Sequence, residues 1–269
     1  MKEREIIPEL DLDWSKVTDE IVTFIRDMFS RTGFSRAVVG LSGGVDSALT
    51  AYLTTRALGR ENILCVKMPY KTSSASSISD ADAVIKMLDV ASETVDISRM
   101  VDTFADRFPD MDHIRKGNVM ARVRMIVLYD ISAREKALVM GTGNKTERLL
   151  GYTTLYGDSA CALNPIGDLY KTQVWAMASY AGLPQHIISK PPSADLWVGQ
   201  TDEGELGVPY AVVDKVLHYY FDRNKTKEEI VSSGVDPGIV ERILTLAEQN
   251  RFKREAAPIA KITIPLAIK

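Results

Sequence analysis

The chain has 269 residues, 26% of them charged, and a formal net charge of −3 at pH 7. That length can bury a full hydrophobic core in one large domain and leaves room for a smaller C-terminal elaboration. Proteins that bind nucleic-acid backbones usually carry a basic excess, so the acidic balance disfavours nucleic acid as a partner.

The cysteines and the apolar runs indicate the cellular compartment of the protein. Cys65 and Cys161 each lie among apolar or small residues, which favours a reducing compartment and no disulfide framework. The charged N-terminus lacks an apolar core, and no apolar run approaches the length of a membrane span. We therefore expect a cytoplasmic protein with no membrane partner.

A helix is predicted within the N-terminal segment, residues 1–35, ahead of the first strand. Apolar side chains recur there at helical spacing, at Val17, Ile21, Phe24, Ile25 and Met28. We expect this helix to cover one face of a sheet.

The stretch at residues 36–47, RAVVGLSGGVDS, carries the clearest signal in the chain. Its apolar first half is typical of a buried parallel strand, Ser-Gly-Gly is a turn, and a helix is expected from Asp46. Such a unit directs backbone N–H groups and the positive end of the helix dipole to one point, which suits phosphate. An ordinary turn with an aspartate cap is the alternative interpretation.

The same stretch differs from the usual P-loop. That loop has a Lys-Ser/Thr pair after its second glycine, whereas Val45 and Asp46 stand there in this chain. An aspartate beside bound phosphate requires a cation such as Mg²⁺ between them. The loop therefore predicts a nucleotide together with its metal.

Strands and helices alternate through the N-terminal half. Strands are predicted at residues 63–68, 94–96 and 137–140, and helices at residues 81–88, 100–108 and 117–133. The Ser-rich residues 73–79 are predicted to be an irregular connection of the kind that closes over a ligand. The alternation favours an α/β fold with a doubly wound parallel sheet, a Rossmann-type arrangement of three layers.

The C-terminal part is predicted to be rich in helices and loops. Helices are expected at residues 172–181, 210–220, 227–232 and 237–250. We expect a single domain over residues 1–269, with a nucleotide-binding core at 36–171 and the helical and loop part at 172–269.

A second glycine turn, at residues 141–144, follows the strand at residues 137–140. Ligands of open α/β sheets collect outside the C-terminal ends of strands, so both glycine turns are expected to face one crevice. Arg122 and Arg124 lie within the apolar helix at residues 117–133 and are expected to need anionic partners.

Residues 42–47, Ser-Gly-Gly-Val-Asp-Ser, resemble the SGGxDS signature of the PP-loop ATP pyrophosphatases. That family includes NAD synthetases, GMP and asparagine synthetases and tRNA-modifying enzymes. The resemblance implies an adenine-nucleotide hydrolase-like fold and cleavage of ATP between its α and β phosphates to adenylylate an oxygen.

Later stretches are similar to NAD synthetases, in order along the chain. They are GTGNKTE at 141–147, YGD at 156–158, PIGDLYK at 165–171, PSADLW at 192–197 and QTDEGELG at 200–207. Ordinary surface loops are the alternative interpretation. The resemblance implies a ligase in which ammonia amidates the nicotinate carboxylate of deamido-NAD through an acyl adenylate, giving NAD, AMP and pyrophosphate.

By this resemblance the chain uses ATP as co-substrate with Mg²⁺, and the catalytic residues are Asp46, Glu147 and Lys171. The two carboxylates are implied to bind the metal, and the lysine to contact phosphate. The implied ATP-binding positions are Gly40, Leu41, Ser42, Gly43, Gly44, Val45, Asp46, Ser47, Thr142, Lys171 and Ser193. From the residues alone, a helix cap at Glu147, a solvated lysine at 171 and turn roles at Thr142 and Ser193 stay open.

The substrate side matches the family less closely. Arg122 and Lys253 match positions that bind the dinucleotide, with a salt bridge and a solvated tail charge as the respective alternatives. Three further substrate-binding positions depart from the family: Leu155 stands for its Lys, Ala162 for its Asp and Phe252 for its His. The acid that receives the adenylate is thus less well defined than the nucleotide chemistry.

Three other functions stay open. The departures motivate a PP-loop amide ligase of the same mechanism acting on another acid, such as nicotinate mononucleotide. A thiolating tRNA enzyme would need reactive cysteines and a basic surface, and a non-catalytic nucleotide-binding module would not need two metal carboxylates.

The resemblance also implies partners. It implies a homodimer whose interface contributes to the dinucleotide site, with the helix at residues 117–133 as candidate contact and core packing as its alternative. Ammonia is the implied nitrogen donor, since the chain leaves no room for the glutaminase domain of glutamine-using relatives.

Overall fold

The computed structural model describes residues 6–193 and 201–261. Within them, parallel strands β1 (Arg36–Gly40), β2 (Ile63–Lys67), β3 (Ala91–Thr94) and β4 (Ala137–Met140) form a sheet of order β3-β2-β1-β4. The strand that carries the SGGVDS turn is therefore central, and β4, which carries the second glycine turn, is its neighbour.

Helices alternate with these strands and follow the last of them as far as Gln249. They are α1 (Trp14–Thr32), α2 (Val45–Leu58), α3 (Ala75–Leu88), α4 (Ser98–Ala105), α5 (His113–Glu135), α6 (Lys145–Leu150), α7 (Lys171–Tyr180), α8 (Gln185–Ser189), α9 (Asp202–Leu206), α10 (Tyr210–Leu217), α11 (Lys227–Ser232) and α12 (Pro237–Gln249). No helix among the described residues is long and apolar enough to cross a membrane.

The sheet has a hydrophobic core on each face. On β1, Ala37 and Val39 belong to the core shared with α1, α2 and α7, whereas Val38 belongs to the core shared with α4 and α5. Side chains alternate between the faces of a strand, so an unbroken apolar run is what a strand covered on both sides requires. The predicted doubly wound α/β fold is confirmed.

The prediction of an irregular Ser-rich connection at residues 73–79 is wrong. α3 begins at Ala75 because Ser74 is its N-cap, and the backbone N–H of Ser77 donates to Ser74 Oγ at 3.0 Å. Serine is favoured at that position for this hydrogen bond. The serines therefore start a helix beside the SGGVDS turn.

Other boundaries differ by a few residues. The third strand is Ala91–Thr94 rather than 94–96, and as a largely exposed edge strand it has little apolar pattern to mark it. α4 lies two or three residues earlier than predicted, and α5 is longer because it starts at the Asp112 cap. α10 ends at Leu217 and continues as a π-helical turn, His218–Asp222.

Candidate active site

A cleft of about 1110 Å³ opens at the C-terminal ends of β1, β2 and β4. Both glycine turns line it, as the position of ligand sites in open α/β sheets predicts. The predicted residues that line this cleft are Gly40, Leu41, Ser42, Gly44, Val45, Asp46, Ser47, Thr142, Glu147, Lys171, Ser193 and Lys253.

The turn between β1 and α2 is held by its own serines. Ser47 Oγ accepts from the N–H of Ser42 at 3.2 Å and lies 3.1 Å from Ser42 Oγ, and Ser42 Oγ accepts from the N–H of Gly44 at 3.2 Å. Gly44, the N-cap of α2, supplies no side-chain cap. The first N–H groups of α2 thus face the cleft without a capping side chain, an arrangement that suits an anion.

Gly43 allows this turn to pack against α3. Its φ is +82°, and a Cβ there would lie 2.1 Å from the carbonyl oxygen of Ser77. Both the left-handed backbone and the close approach require glycine. Gly43 itself does not line the cleft; it places the residues that do.

Asn144 joins the two carboxylates that the sequence predicted as metal ligands. It forms a capping box with Glu147 at the start of α6, in which Glu147 Oε2 accepts from the N–H of Asn144 at 3.1 Å. The Asn144 amide also donates to Asp46 Oδ1 at 2.9 Å, and the residue is fully buried. Glu147 is therefore both the helix cap and a cleft residue.

Lys171 is buried, not the solvated lysine that the sequence alone allowed. Only 2% of the residue is exposed, and its ammonium lies 2.5 Å from Asp46 Oδ2 and 3.7 Å from Glu147 Oε1. Burial alone would lower the pKa of Lys171, but Asp46 and Glu147 outweigh it and raise that pKa above its ordinary value. The lysine is therefore a permanent cation between two carboxylates.

The pKa of Glu147 reflects its burial beside a second carboxylate, that of Asp46. Burial, together with the nearby charge of Asp46, raises the pKa of Glu147 above its ordinary value, while Lys171 lowers it in part. A cation placed between the two carboxylates would remove their mutual repulsion.

Asp46 and Glu147 fit a magnesium ion. Both offer hard oxygen ligands. Among the described residues no group of three or more His, Cys, Asp and Glu side chains forms a metal site. Two carboxylates without a full protein cage suit Mg²⁺, which is commonly held by one or two carboxylates plus phosphate oxygens and water.

Asp214, which the sequence analysis missed, fixes the starts of α6 and α7 relative to each other. It is fully buried, and its carboxylate accepts from Thr146 Oγ1 at 2.6 Å and from both the N–H and the hydroxyl of Thr172 at 2.8 Å. Thr146 and Thr172 are the neighbours of Glu147 and Lys171. An aspartate within the apolar run of α10 was the signal that could have identified it.

Asp202 and Tyr210 complete the wall behind Lys171. Tyr210 donates to Asp202 Oδ2 at 3.1 Å, and its ring lies 5.7 Å from the Lys171 ammonium. Burial raises the pKa of Asp202. The sequence offered Asp202 only as part of the QTDEGELG stretch.

The predicted substrate-side residues, Lys253 apart, do not line the cleft. Arg122 donates to the carbonyl oxygen of Leu155 at 3.3 Å, the exposed Ala162 donates its N–H to the carbonyl of Val139 in β4 at 2.9 Å, and 61% of Phe252 is exposed. Arg124 donates to the carbonyl of Met68 at 3.1 Å, and the expectation that both arginines need anionic partners stays a prediction. Carbonyl oxygens at the cleft edge accept these hydrogen bonds.

Lys253 is the substrate-side residue that the structure brings into the cleft wall. Its ammonium donates to the carbonyl oxygens of Gly151 at 2.7 Å and Thr153 at 3.1 Å. These hydrogen bonds connect the turn at Arg251–Lys253 to the loop after α6. Lys253 is therefore not a solvated tail charge.

Comparison with known proteins agrees with this geometry. The family model of NAD synthase matches residues 17–257, a span that contains both glycine turns and every residue of the Asp46–Lys171–Glu147 cluster. The chain belongs to the NAD synthase family.

Curated and solved proteins are similar to this chain over nearly their whole lengths. The NH(3)-dependent NAD(+) synthetase of Fusobacterium nucleatum is 48% identical over 254 residues, 94% of this chain and 98% of that one. The NH3-dependent NAD synthetase of Campylobacter jejuni, in complex with the nitrate ion, has a TM-score of 0.80 and 34% identity over 93% of this chain and all of that one. The NMN synthetase of Francisella tularensis has a TM-score of 0.83 and 31% identity over 94% of this chain and all of that one.

Proposed function

We propose that the chain is an ammonia-dependent NAD synthetase. It would use ATP to amidate the nicotinate carboxylate of deamido-NAD, releasing AMP and pyrophosphate. The observation that carries this proposal is the buried Asp46–Lys171–Glu147 cluster beside the uncapped start of α2. A relative named NH(3)-dependent NAD(+) synthetase, 48% identical over 98% of its own length, supports it.

The first step activates the acid. A carboxylate is a resonance-stabilised anion with a poor leaving group, so ammonia cannot displace its oxygen directly. A carboxylate oxygen therefore attacks the α-phosphorus of ATP, an O–P bond forms, and the bond to the β-phosphate oxygen breaks to release pyrophosphate. In this proposal the N–H groups at the start of α2, which lack a side-chain cap, and the Lys171 ammonium beside Asp46 bind the charge that develops on the leaving phosphates.

The second step forms the amide. Neutral ammonia attacks the acyl carbon, the C–O bond to AMP breaks, and the surplus proton passes to solvent. Ammonia needs no general base to attack, so catalysis consists mainly of positioning and electrostatic stabilisation. Asn144 and Asp214 contribute to positioning because they hold the two ends of the cluster.

Magnesium belongs to this proposal through Asp46 and Glu147. When bound there, Mg²⁺ supplies charge neutralisation for the triphosphate. Asn144 is hydrogen-bonded to both residues, to Asp46 through its amide and to Glu147 through the capping box.

The proposal includes a homodimer that completes the dinucleotide site. Arg122, Leu155, Ala162 and Phe252 do not line the cleft of one chain, and a second copy would give them a role in binding the acid. A cytoplasmic location, suited to the free thiols of Cys65 and Cys161, stays a prediction.

The deciding experiment supplies purified protein with MgATP and follows AMP, pyrophosphate and amide. Deamido-NAD is compared with nicotinate mononucleotide, and ammonia with glutamine. We expect equimolar NAD, AMP and pyrophosphate from deamido-NAD and ammonia. Amidation of the mononucleotide alone would contradict the proposed acid.

Matched lysine variants test the site itself. Lys171→Met removes the buried cation, and we expect kcat to fall by about a hundredfold or more. Lys16→Met, at the exposed start of α1, is the control and should leave kcat unchanged. Equal turnover by the two variants would contradict the assigned role of Lys171.

A further inference from the structure

A second lysine, Lys190, lies on the cleft wall away from Lys171. It follows α8, and its ammonium donates to Asp80 Oδ2 at 2.7 Å and to Ser77 Oγ at 3.1 Å. The side chain is 27% exposed and that of Asp80 only 10%. The ion pair is thus half-buried in a cleft, unlike a solvated surface pair.

Ser77 connects this lysine with the SGGVDS turn. The carbonyl of Ser77 is the group against which Gly43 packs, at 2.1 Å from where a Cβ would lie. The hydroxyl of the same residue accepts from Lys190. Ser77 therefore lies between the Lys190 ammonium and the turn that precedes α2, and it contacts both.

The charges of the cleft favour another cation at this place. Lys171 is shared between Asp46 and Glu147 in the central cluster, and a nucleoside triphosphate adds several negative charges. Three other basic side chains of the wall have different partners: Lys67, at the end of β2, pairs with Asp82, whereas Arg124 and Lys253 donate to carbonyl oxygens. Lys190 donates to Ser77, whose carbonyl packs against the turn.

We propose that Lys190 binds the β- and γ-phosphates of ATP and the pyrophosphate formed from them. Asp80 holds the ammonium when the cleft is empty, and phosphate oxygens replace that carboxylate when the nucleotide enters. His186 Nε2, 3.4 Å from Asp80 Oδ1, remains beside the carboxylate that Lys190 leaves. The proposal rests on the adenylylating function proposed above, but it concerns only the phosphates.

The test measures equilibrium binding of magnesium pyrophosphate and of AMP by calorimetry, without any acid substrate. Loss of a charge-assisted hydrogen bond in Lys190→Met should weaken pyrophosphate binding about tenfold or more and leave AMP binding unchanged. Lys190→Arg keeps the cation and should restore most of the affinity. Lys86→Met, on the exposed side of α3, is the matched control.

The Asp80→Asn variant distinguishes a phosphate-binding role of Lys190 from a purely structural Lys190–Asp80 ion pair. It frees Lys190 from its counter-ion, so pyrophosphate should bind as tightly as to the wild type or more tightly. If Lys190→Met and Asp80→Asn instead lower thermal stability alike and change pyrophosphate binding alike, the pair is structural and the proposal is wrong. Failure of the wild type to amidate deamido-NAD while pyrophosphate binding still depends on Lys190 would refute only the proposed acid.

Discussion

At the scale of single residues, Lys171 shows how the site combines burial with charge. A fully buried lysine would ordinarily lose its proton, yet the carboxylates of Asp46 and Glu147 raise its pKa instead. Removing one member of such a group leaves an uncompensated buried charge, which costs more than the pair contributes. Effects of mutations within the cluster will therefore not add.

Gly43 is the residue whose replacement has the most clearly defined consequence. Gly43→Ala must adopt a positive φ and place a Cβ 2.1 Å from the Ser77 carbonyl, so the turn or α3 must move. We expect ATP binding to weaken at least about tenfold, together with a loss of stability beyond the ~1–2 kcal/mol of a left-handed alanine. Titration calorimetry with MgATP and thermal unfolding measure both.

Gly33→Ala is the matched control for that experiment. Gly33 has a φ of +74°, and nothing lies within 4 Å of its Cβ position. Gly33→Ala should lose only the stability that a left-handed alanine costs, which lowers the melting temperature by roughly 2–8 °C. Its affinity for ATP should not change. Similar ATP affinities for the two variants would show that the contact with Ser77 does not shape the turn.

Residues with local signals were predictable, and those defined by distant contacts were not. The SGGVDS turn follows from strand, turn and helix patterns within a dozen residues, and it was placed correctly. The burial of Lys171 depends on Tyr210 and Asp202, which follow it by more than thirty positions. No pattern around Lys171 reports those contacts, so a surface lysine could not be dismissed from the residues alone.

At the scale of elements, the site depends on how α6 and α7 begin. Asp214, on α10, accepts hydrogen bonds from a residue in the first turn of each, and the N–H of Lys171 donates to Thr146 Oγ1 at 2.9 Å. Three separate helices thus share one buried network. The sequence predicted α7 and α10 but could not predict that they meet, because their contact is a tertiary one.

Asp214→Ala should damage the site through these helices. The donors of Thr146 and Thr172 lose a buried acceptor, so Glu147 and Lys171 are no longer held in register. We expect kcat to fall about tenfold or more. Asp236→Ala is the control, since Asp236 caps the start of α12 outside the cleft; it should cost stability but keep kcat per folded molecule. Equal kcat losses would point to general destabilisation.

The same variant tests the buried charge. Burial raises the pKa of Asp214 to about 6, above its ordinary 3.8. The protonated form therefore stabilises the fold at low pH, and that contribution is lost as pH rises through the folded-state value. Between about pH 5 and about pH 7 the wild type should lose about 1 kcal/mol of unfolding free energy relative to Asp214→Ala. Denaturant titrations at both pH values measure it, and a pH-independent difference would contradict the raised pKa.

At the scale of the whole molecule, one hydrophobic core runs from near the N-terminus to α12. The cluster on the α2 face includes Leu10 of the N-terminal segment, Trp175 of α7 and Ala247 of α12. Continuous packing of this kind supports the single domain that we propose for the chain. The cleft is then built by both predicted parts, because residues of α7 and α9 line it together with the ends of β1 and β4.

α5 leaves an apolar stripe uncovered beside this cleft. Arg122, Ile126 and Tyr129 are spaced by four and three residues and so share one face of the helix. Ile126 is 58% exposed and Tyr129 is 40% exposed. This face carries the predicted dinucleotide-binding arginine, which is why we assign the proposed dimer contact to it.

Ile126→Asp should therefore separate the subunits and affect one substrate only. A buried unpaired charge at the contact would weaken the dimer by about a hundredfold, as light scattering after gel filtration would show. The KM for deamido-NAD should rise because a second copy is proposed to complete its site, whereas MgATP affinity should not change because Asp46, Glu147 and Lys171 come from one chain. Phe24→Asp, which alters a comparably exposed apolar residue of α1, is the control. A fully active monomer would exclude an interfacial acid site, and a dimer that survives the substitution would place the contact on another face.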